Sequence, residues 1–317
     1  IRDRDNVLND QGTIAVSAGT ATVTVIDTNN LTIATSTLGG AFNVDAAGID
    51  LTGVVTAASV DLDSSGGDLT DTGGALNVTG SSTFTVTGTD VITLDSTTND
   101  VNSVVISADQ GATTLVDTDD INVGASTLGG LLDVTAQDAT VSGALSTGSL
   151  DFNVTDSIVV DAGVTTTVGN IDFDNANLVD INADLVSAGG ISASNIATAV
   201  QLEPASLTAQ GSINMAVGVT TVQVGGSGLV TLIADNGGSI VLPNVDDIGD
   251  SLVTNLSFTS DADVSFGTID MSDAGSNGTL TVNFDEGIDG SHVFSTSGDI
   301  IDPVSYTHLT LPTSPKV

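Results

Sequence analysis

The chain has 317 residues, with 40 Asp and Glu against 3 Lys and Arg, a formal net charge of −37. The bases are Arg2, Arg4 and Lys316. Nothing between them supplies the clustered cations that nucleic acid phosphates or anionic lipid headgroups demand, so neither is expected as a partner. There is no Cys, which excludes disulfides, thiolate metal sites and Cys nucleophiles.

High charge with few aromatics can signal disorder. Here 40% of residues are hydrophobic and they alternate with polar ones, as a sheet requires. With aromatics at 3%, the core must be built from Val, Ile, Leu and Ala. No apolar run reaches the length of a membrane-spanning helix, so insertion of this stretch into a bilayer is not expected.

In chain order, residues 1–12 carry both Arg and three Asp and read as the ragged start of a fragment. From Thr13 the period-two alternation begins. Leu31/Ile33, Phe42/Val44, Leu76/Val78, Phe84/Val86 and Ile92/Leu94 are predicted to point inward from short strands, with Thr, Asn, Asp and Ser between them facing water. Val104/Ile106, Ile121/Val123, Leu132/Val134 and Phe152/Val154 continue the pattern. Turn signals separate the strands: Thr28-Asn29-Asn30, Ser64-Ser65-Gly66-Gly67, Asp71-Thr72-Gly73-Gly74, Asn236-Gly237-Gly238 and Ser276-Asn277-Gly278. Gly and Asn are expected there to supply positive φ.

One stretch returns. Ser36-Thr37-Leu38-Gly39-Gly40 recurs as Ser126-Thr127-Leu128-Gly129-Gly130, and 12 of 31 positions match between 16–46 and 106–136. A long internal period sets the architecture. Each Gly pair leads into an apolar-polar-Val strand: Phe42-Asn43-Val44, Leu76-Asn77-Val78 and Leu132-Asp133-Val134. The 90-residue period accommodates four coils of about 22 residues, the size of one solenoid repeat. The fold expected is therefore all-β: a parallel β-helix, or solenoid, over 13–193. A tandem β-sandwich array is the alternative. On this reading Leu38 and Leu128 are buried, and the two Gly pairs turn at equivalent points about four coils apart.

Residues 194–204 break the pattern. Ser194 is placed to cap a short helical turn through Ile196, Val200 and Leu202, stopped by Pro204, so a loop or short helical insertion is expected. Residues 205–302 resume short strands with less regular spacing, including Val222/Val224, Val230/Leu232, Ile240/Leu242 and Leu280/Val282/Phe284. The tail, 303–317, holds three of the five Pro and the only Tyr. Its segment 304–313 resembles a translated sequencing adapter, so the tail is read as non-native.

No catalytic constellation is legible. His292, near Ser291 and Ser295, cannot build a metal triad alone, no nucleophile elbow is present, and it is read as a surface or turn residue. Asp119-Asp120 and Asp246-Asp247 are adjacent pairs, and neighbouring strand residues face opposite sides, so both are read as solvated turns. Asp-x-Asp occurs at Asp61/Asp63, Asp117/Asp119, Asp172/Asp174 and Asp261/Asp263. Along an extended strand such carboxylates share a face at ~6.5–7 Å. Asp27-Thr28-Asn29-Asn30 and Asp117-Thr118-Asp119-Asp120 are weak calcium chelators at best. The Gly pairs lack the Lys and helix of a phosphate loop. No catalytic, cofactor or metal residue is therefore assigned.

The run Asp27-Thr28-Asn29-Asn30-Leu31-Thr32-Ile33 leading to Ser36-Thr37-Leu38-Gly39-Gly40-Ala41-Phe42-Asn43-Val44, with its copy at 117–134, resembles the filamentous-haemagglutinin-like large exoproteins of Gram-negative bacteria. The likeness covers roughly 15–190. It implies a right-handed parallel β-helix, two-partner secretion through an outer-membrane partner, and adhesion to host cells, other bacteria or abiotic surfaces. On this resemblance the chain is the structural shaft of a secreted or surface-displayed adhesin. A calcium-stiffened β-sandwich adhesin and, further off, a polysaccharide-degrading β-helix are the alternatives.

Overall fold

The computed structural model describes residues 11–226, 228–247, 254–270, 280–284, 294–296, 300–301 and 309–310. Among these there is no helix, and every recorded strand pairing is parallel with a strand one coil away. The chain is a β-solenoid with about 21 residues between equivalent points, and the sandwich alternative falls. Two compact units are distinguished, Ile1–Thr155 and Asp156–Val317.

In the first unit each coil has three sides. The first face stacks Asn30–Ile33, Gly48–Leu51, Leu69–Thr70, Ile92–Leu94, Thr113–Val116, Leu131–Ala136 and Ser149–Val154. The second face carries Ser36–Leu38 and Val54–Ala57, then the start of the long strand Ala75–Val86. Higher in the stack it carries Asp120–Val123 and Asp138–Val141. The third face carries Val23–Ile26, Ala41–Ala46, Ser59–Ser64 and the end of Ala75–Val86, then Ser126–Leu128 and Leu145–Thr147. A parallel ladder needs a long connection between paired strands. Here the other two sides of the coil are that connection.

The alternation read from the sequence is what fills the interior. Leu31, Ile33, Phe42, Val44, Leu76, Phe84, Ile92, Ile121, Val123, Leu132 and Phe152 are all buried. Leu38 and Leu128 are 3% and 2% exposed. In-register stacking places like on like, with Leu31, Ile49, Leu69 and Ile92 in one inward column. Burial of each such side chain contributes about 1.5–3 kcal/mol.

The two repeat copies do not lie on the same faces. Along the first face Leu31 leads to Ile49, Leu69, Ile92 and Thr113, four coils in all. Ile121, the counterpart of Leu31, belongs to the next strand, on the second face. Likewise Ser36–Leu38 lies on the second face and Ser126–Leu128 on the third. Ala41–Ala46 lies on the third and Leu131–Ala136 on the first. The period is four coils plus one side, so the two Gly pairs turn at different corners. The expectation of equivalent points four whole coils apart is corrected, because these coils run from 18 residues (Leu31 to Ile49) to 23 (Leu69 to Ile92) and do not divide 90 evenly.

The Gly pairs also act differently from expectation. Gly39, Gly40, Gly129 and Gly130 have no positive φ. A Cβ on Gly40 would lie 2.5 Å from the carbonyl oxygens of Thr20 and Ala21 one coil below, and one on Gly130 would overlap the Gly111 carbonyl. Close backbone approach, not backbone handedness, selects glycine there. Gly73, Asn236 and Gly237 do adopt positive φ, as predicted, whereas Asn29, Asn30, Gly66 and Gly67 do not. The Ser276-Asn277-Gly278 turn lies outside the described residues.

The described residues of the second unit, Asp156–Val317, follow the same three-sided plan. One face stacks Ile171–Asp174, Ile191–Ser194, Ile213–Val217 and Ile240–Val241. A second stacks Ser157–Val160, Leu178–Ile181, Ala199–Leu202, Thr221–Val224 and Asn244–Asp247. A third stacks Val164–Thr166, Leu185–Ser187, Ser206–Ala209, Gly228–Ala234 and Thr254–Ser260. Coils lengthen from 20 residues (Ile171 to Ile191) to 27 (Ile213 to Ile240), in keeping with the irregular spacing read from the sequence.

No helical insertion occupies 194–204. Asn195 takes φ 56° and turns the corner, and its side chain donates to Asn175 (φ 64°) one coil away at 3.2 Å. Gly218 (φ 69°) takes the corresponding corner in the following coil. Val200 and Leu202 then alternate inward from a strand, and the Ser194 hydroxyl donates to Asp174 rather than capping a helix. The apparent helical spacing arose because Ile196 is a buried corner residue just before that strand. Within the tail, Leu309–Thr310 pairs with Val282–Asn283.

Candidate functional site

Outward residues form columns because neighbouring coils are in register. On the third face of the first unit Asn43 stacks on Thr24 and under Asp61, while Asp45 stacks on Ile26 and under Asp63. Three carboxylates thus face one side, ~4.8 Å apart between coils and ~6.5–7 Å along a strand. Together with Thr24, Ile26, Asn43 and Val44 they line a shallow concavity of about 260 Å³. Burial pushes the Asp63 carboxyl above its ordinary 3.8, and the neighbouring Asp45 and Asp61 charges push it further. The concavity offers acidic acceptors with Thr24 and Asn43 as neutral polar neighbours. It can accept hydrogen bonds and attract cations.

Of the four Asp-x-Asp pairs, Asp61/Asp63 and Asp172/Asp174 share a strand face as predicted. The hydroxyls of Ser192 and Ser194, one coil on, donate to Asp172 and Asp174. Asp117/Asp119 and Asp261/Asp263 are corners. Asp117 is buried and accepts from the Val101 amide at 2.7 Å and the Asp119 amide at 3.1 Å. Its repeat partner Asp27 accepts from Gln11 at 2.6 Å and Asn29 at 2.9 Å. These carboxylates join successive coils through backbone amides, which is a different task from chelation. Burial, and then the nearby Asp119, raise the Asp117 pKa to about 6 against the two amide bonds that lower it. Asp119 is an exposed corner as read, but Asp120 opens the strand Asp120–Val123 and stacks with Asp138, and Asp246 lies in the strand Asn244–Asp247 and stacks with Asp270. His292 lies outside the described residues. Among the described residues no group of three or more His, Cys, Asp and Glu is arranged to hold a metal ion.

Sequence reading missed Asp45, because its meeting with Asp63 depends on an 18-residue coil and not on local spacing. It also missed two inward hydroxyls. Ser36 accepts from the Val16 amide at 2.9 Å and donates to the Ala34 carbonyl at 2.8 Å. Ser126 repeats both bonds with Ile106 and Gly124 at 2.9 Å each. Identity of Ser36 and Ser126 in the two copies was the available signal.

A family model described as repeats of unknown function (DUF5649) matches residues 45–108. The matched stretch covers three coils of the first unit: Ala46 stacks under Ser64, Ser64 under Val86, and Val86 under Ala108, all on the third face. No curated protein and no solved structure matches the chain. The chain is thus a repeat-bearing β-solenoid, a fold compatible with a structural repeat protein.

Proposed function

We propose that this chain is a shaft segment of a secreted or surface-displayed bacterial adhesin, holding a binding element away from the cell, as in the filamentous-haemagglutinin-like exoproteins its repeat resembles. The observation that carries this reading is which residues recur. Between the two copies the inward bonds of Ser36 and Ser126, the amide-binding Asp27 and Asp117 and the Gly corners are retained. Ser17, Thr24, Thr28 and Thr37 are kept on the outside, but most other outward positions change among short polar residues: Thr32 to Asn122, Asn43 to Asp133, Asp45 to Thr135, Asp63 to Asn153. A sequence that repeats its scaffold and lets its surface drift suits a spacer better than a site. Export to the surface of a Gram-negative cell through an outer-membrane partner follows from the same resemblance.

The test places the chain between a surface anchor and a carbohydrate-binding module on cells bearing a thick capsule. The intact chain should restore module binding to beads, and beads coated with the chain alone should not adhere to the same targets. Saturable adhesion by the chain alone, lost on replacing Asp45, Asp61 and Asp63 with Asn, would move the binding function into the solenoid itself. Release of oligosaccharides from an acidic polysaccharide, lost on replacing Asp61 and Asp63, would make it an enzyme.

A further inference from the structure

The one-side offset between the repeat copies has a consequence for how the stack can change length. Strands after Gly40 and after Gly130 meet matching neighbours although they lie on different faces. Val44 stacks on Val25, and Val134 on Leu115. Ile49 stacks on Leu31, and Ala139 on Ile121. Leu51 stacks on Ile33, and Val141 on Val123. Phe42 stacks on Val23, and Leu132 on the buried Thr113; apart from that threonine, each joint presents apolar, mostly branched side chains to its partner, whichever side of the coil it occupies. The hydroxyl that satisfies the strand below also recurs on both faces.

We propose that the joints between coils are indifferent to face, so that exchange at the identical Ser-Thr-Leu-Gly-Gly segments removes or adds four coils plus one side and leaves a continuous stack. Joining Gly40 directly to Leu131 deletes residues 41–130. Leu131–Ala136 then lies on Val23–Ile26, where Ala41–Ala46 lies in the parent. Asp138–Val141 falls on Asn30–Ile33 in the same way. The strands of the first unit after the joint turn by one side about the stack and keep their own coil-to-coil contacts. The chain is thereby a length-adjustable element whose unit of change is the matched repeat and not the whole coil. This holds whether or not the adhesin reading is correct.

The experiment exploits the absence of Cys. Thr24→Cys and Asp133→Cys are introduced into the full chain and into the chain lacking 41–130. In the parent, Thr24 partners Asn43 and Asp133 partners Thr114, with the two residues on different faces and five coils and one side apart, about 25 Å along the stack. In the deletion they become direct neighbours at ~4.8 Å. A short bis-maleimide should cross-link the deletion variant within one chain nearly completely and leave the parent unlinked. Circular dichroism should show a retained β signal and a single cooperative transition. A length control lacking 31–112 returns the chain to its original face and should melt within a few degrees of the 41–130 deletion. Loss of the cooperative transition in the 41–130 deletion overturns the proposal, whatever the control does. A folded deletion that does not cross-link overturns it equally, because the strands would then have found another register.

Discussion

Ser36 and Ser126 do the same work one face apart: a buried hydroxyl accepts a backbone amide of the coil below, Val16 between two strands and Ile106 within the strand Asp100–Ala108. Ser126→Ala strands the Ile106 amide, and a buried unpaired donor costs ~1–3 kcal/mol. Urea unfolding should report that loss for Ser126→Ala and for Ser36→Ala, with an unchanged m-value. Gly130→Val places a branched side chain against the Gly111 carbonyl, and overpacking of this kind costs about 1–3 kcal/mol or more. A thermal melt should fall clearly, while Thr127→Val, on the exposed side of the neighbouring strand Ser126–Leu128, should change little. Asp117 tests electrostatics at this scale. Its folded pKa, about 6, lies above the ordinary 3.8, so the folded state binds more protons between those values. Stability must then fall as pH rises through that window and stay low above it. Asp63, Asp133 and Asp180 are raised as well, with burial the leading cause for each. The melting temperature should therefore increase from pH 7 to about pH 4.5, and Asp117→Asn should flatten that rise. A rise on going from pH 5 to pH 7 would contradict the assignment.

At the scale of the strand, the coil is the unit of packing. Removing 31–48 joins Asn30 to Ile49, which already shares a column with Leu31, and drops one coil from the first unit. The variant should remain cooperatively folded, because each remaining strand finds an inward partner of the same kind. Removing only 31–47 stops one residue short of the coil, places Ile49 where Thr32 faced out and Asp50 where Ile33 faced in, and so reverses which side chains of that strand face inward. It should lose the cooperative transition. The inward pairs from Leu31/Ile33 to Phe152/Val154 were legible in the sequence, since alternation is a local property and the same residues pack whichever strand lies beside them. The corner at 194–204 was not. A buried Ile196 followed by the alternating Val200 and Leu202 mimics helical spacing, and only the stacking of Asn195 on Asn175 distinguishes a solenoid corner from a capped turn.

Across the molecule, like charges meet in register: Asp45 with Asp63, Asp120 with Asp138, Asp133 with Asp151, Asp246 with Asp270. With a net charge of −37, repulsion between neighbouring columns opposes stacking. At 0.1 M salt the screening length is about 10 Å, longer than the coil spacing, so added salt should continue to stabilise well above that concentration. The melting temperature should climb between 0.05 M and 1 M NaCl. A further rise with calcium at matched ionic strength, reversed by a chelator, would reveal specific binding beyond screening; an identical curve would confine calcium to screening.

The fold class follows from the residues alone. Short alternating strands punctuated by small corner residues, without Trp or Cys, have few ways to bury their apolar side except on copies of themselves. The burial of Leu38 and Leu128 follows too, because an inward strand position does not depend on which face carries it. What required the tertiary structure was everything set by coil length. Whether Asp45 meets Asp63, whether Asp117 binds amides or water, and whether two identical Gly pairs share a corner all depend on the number of residues per turn. That number varies from coil to coil. No local motif encodes it, and so a 90-residue repeat that reads as four coils is four coils and one side.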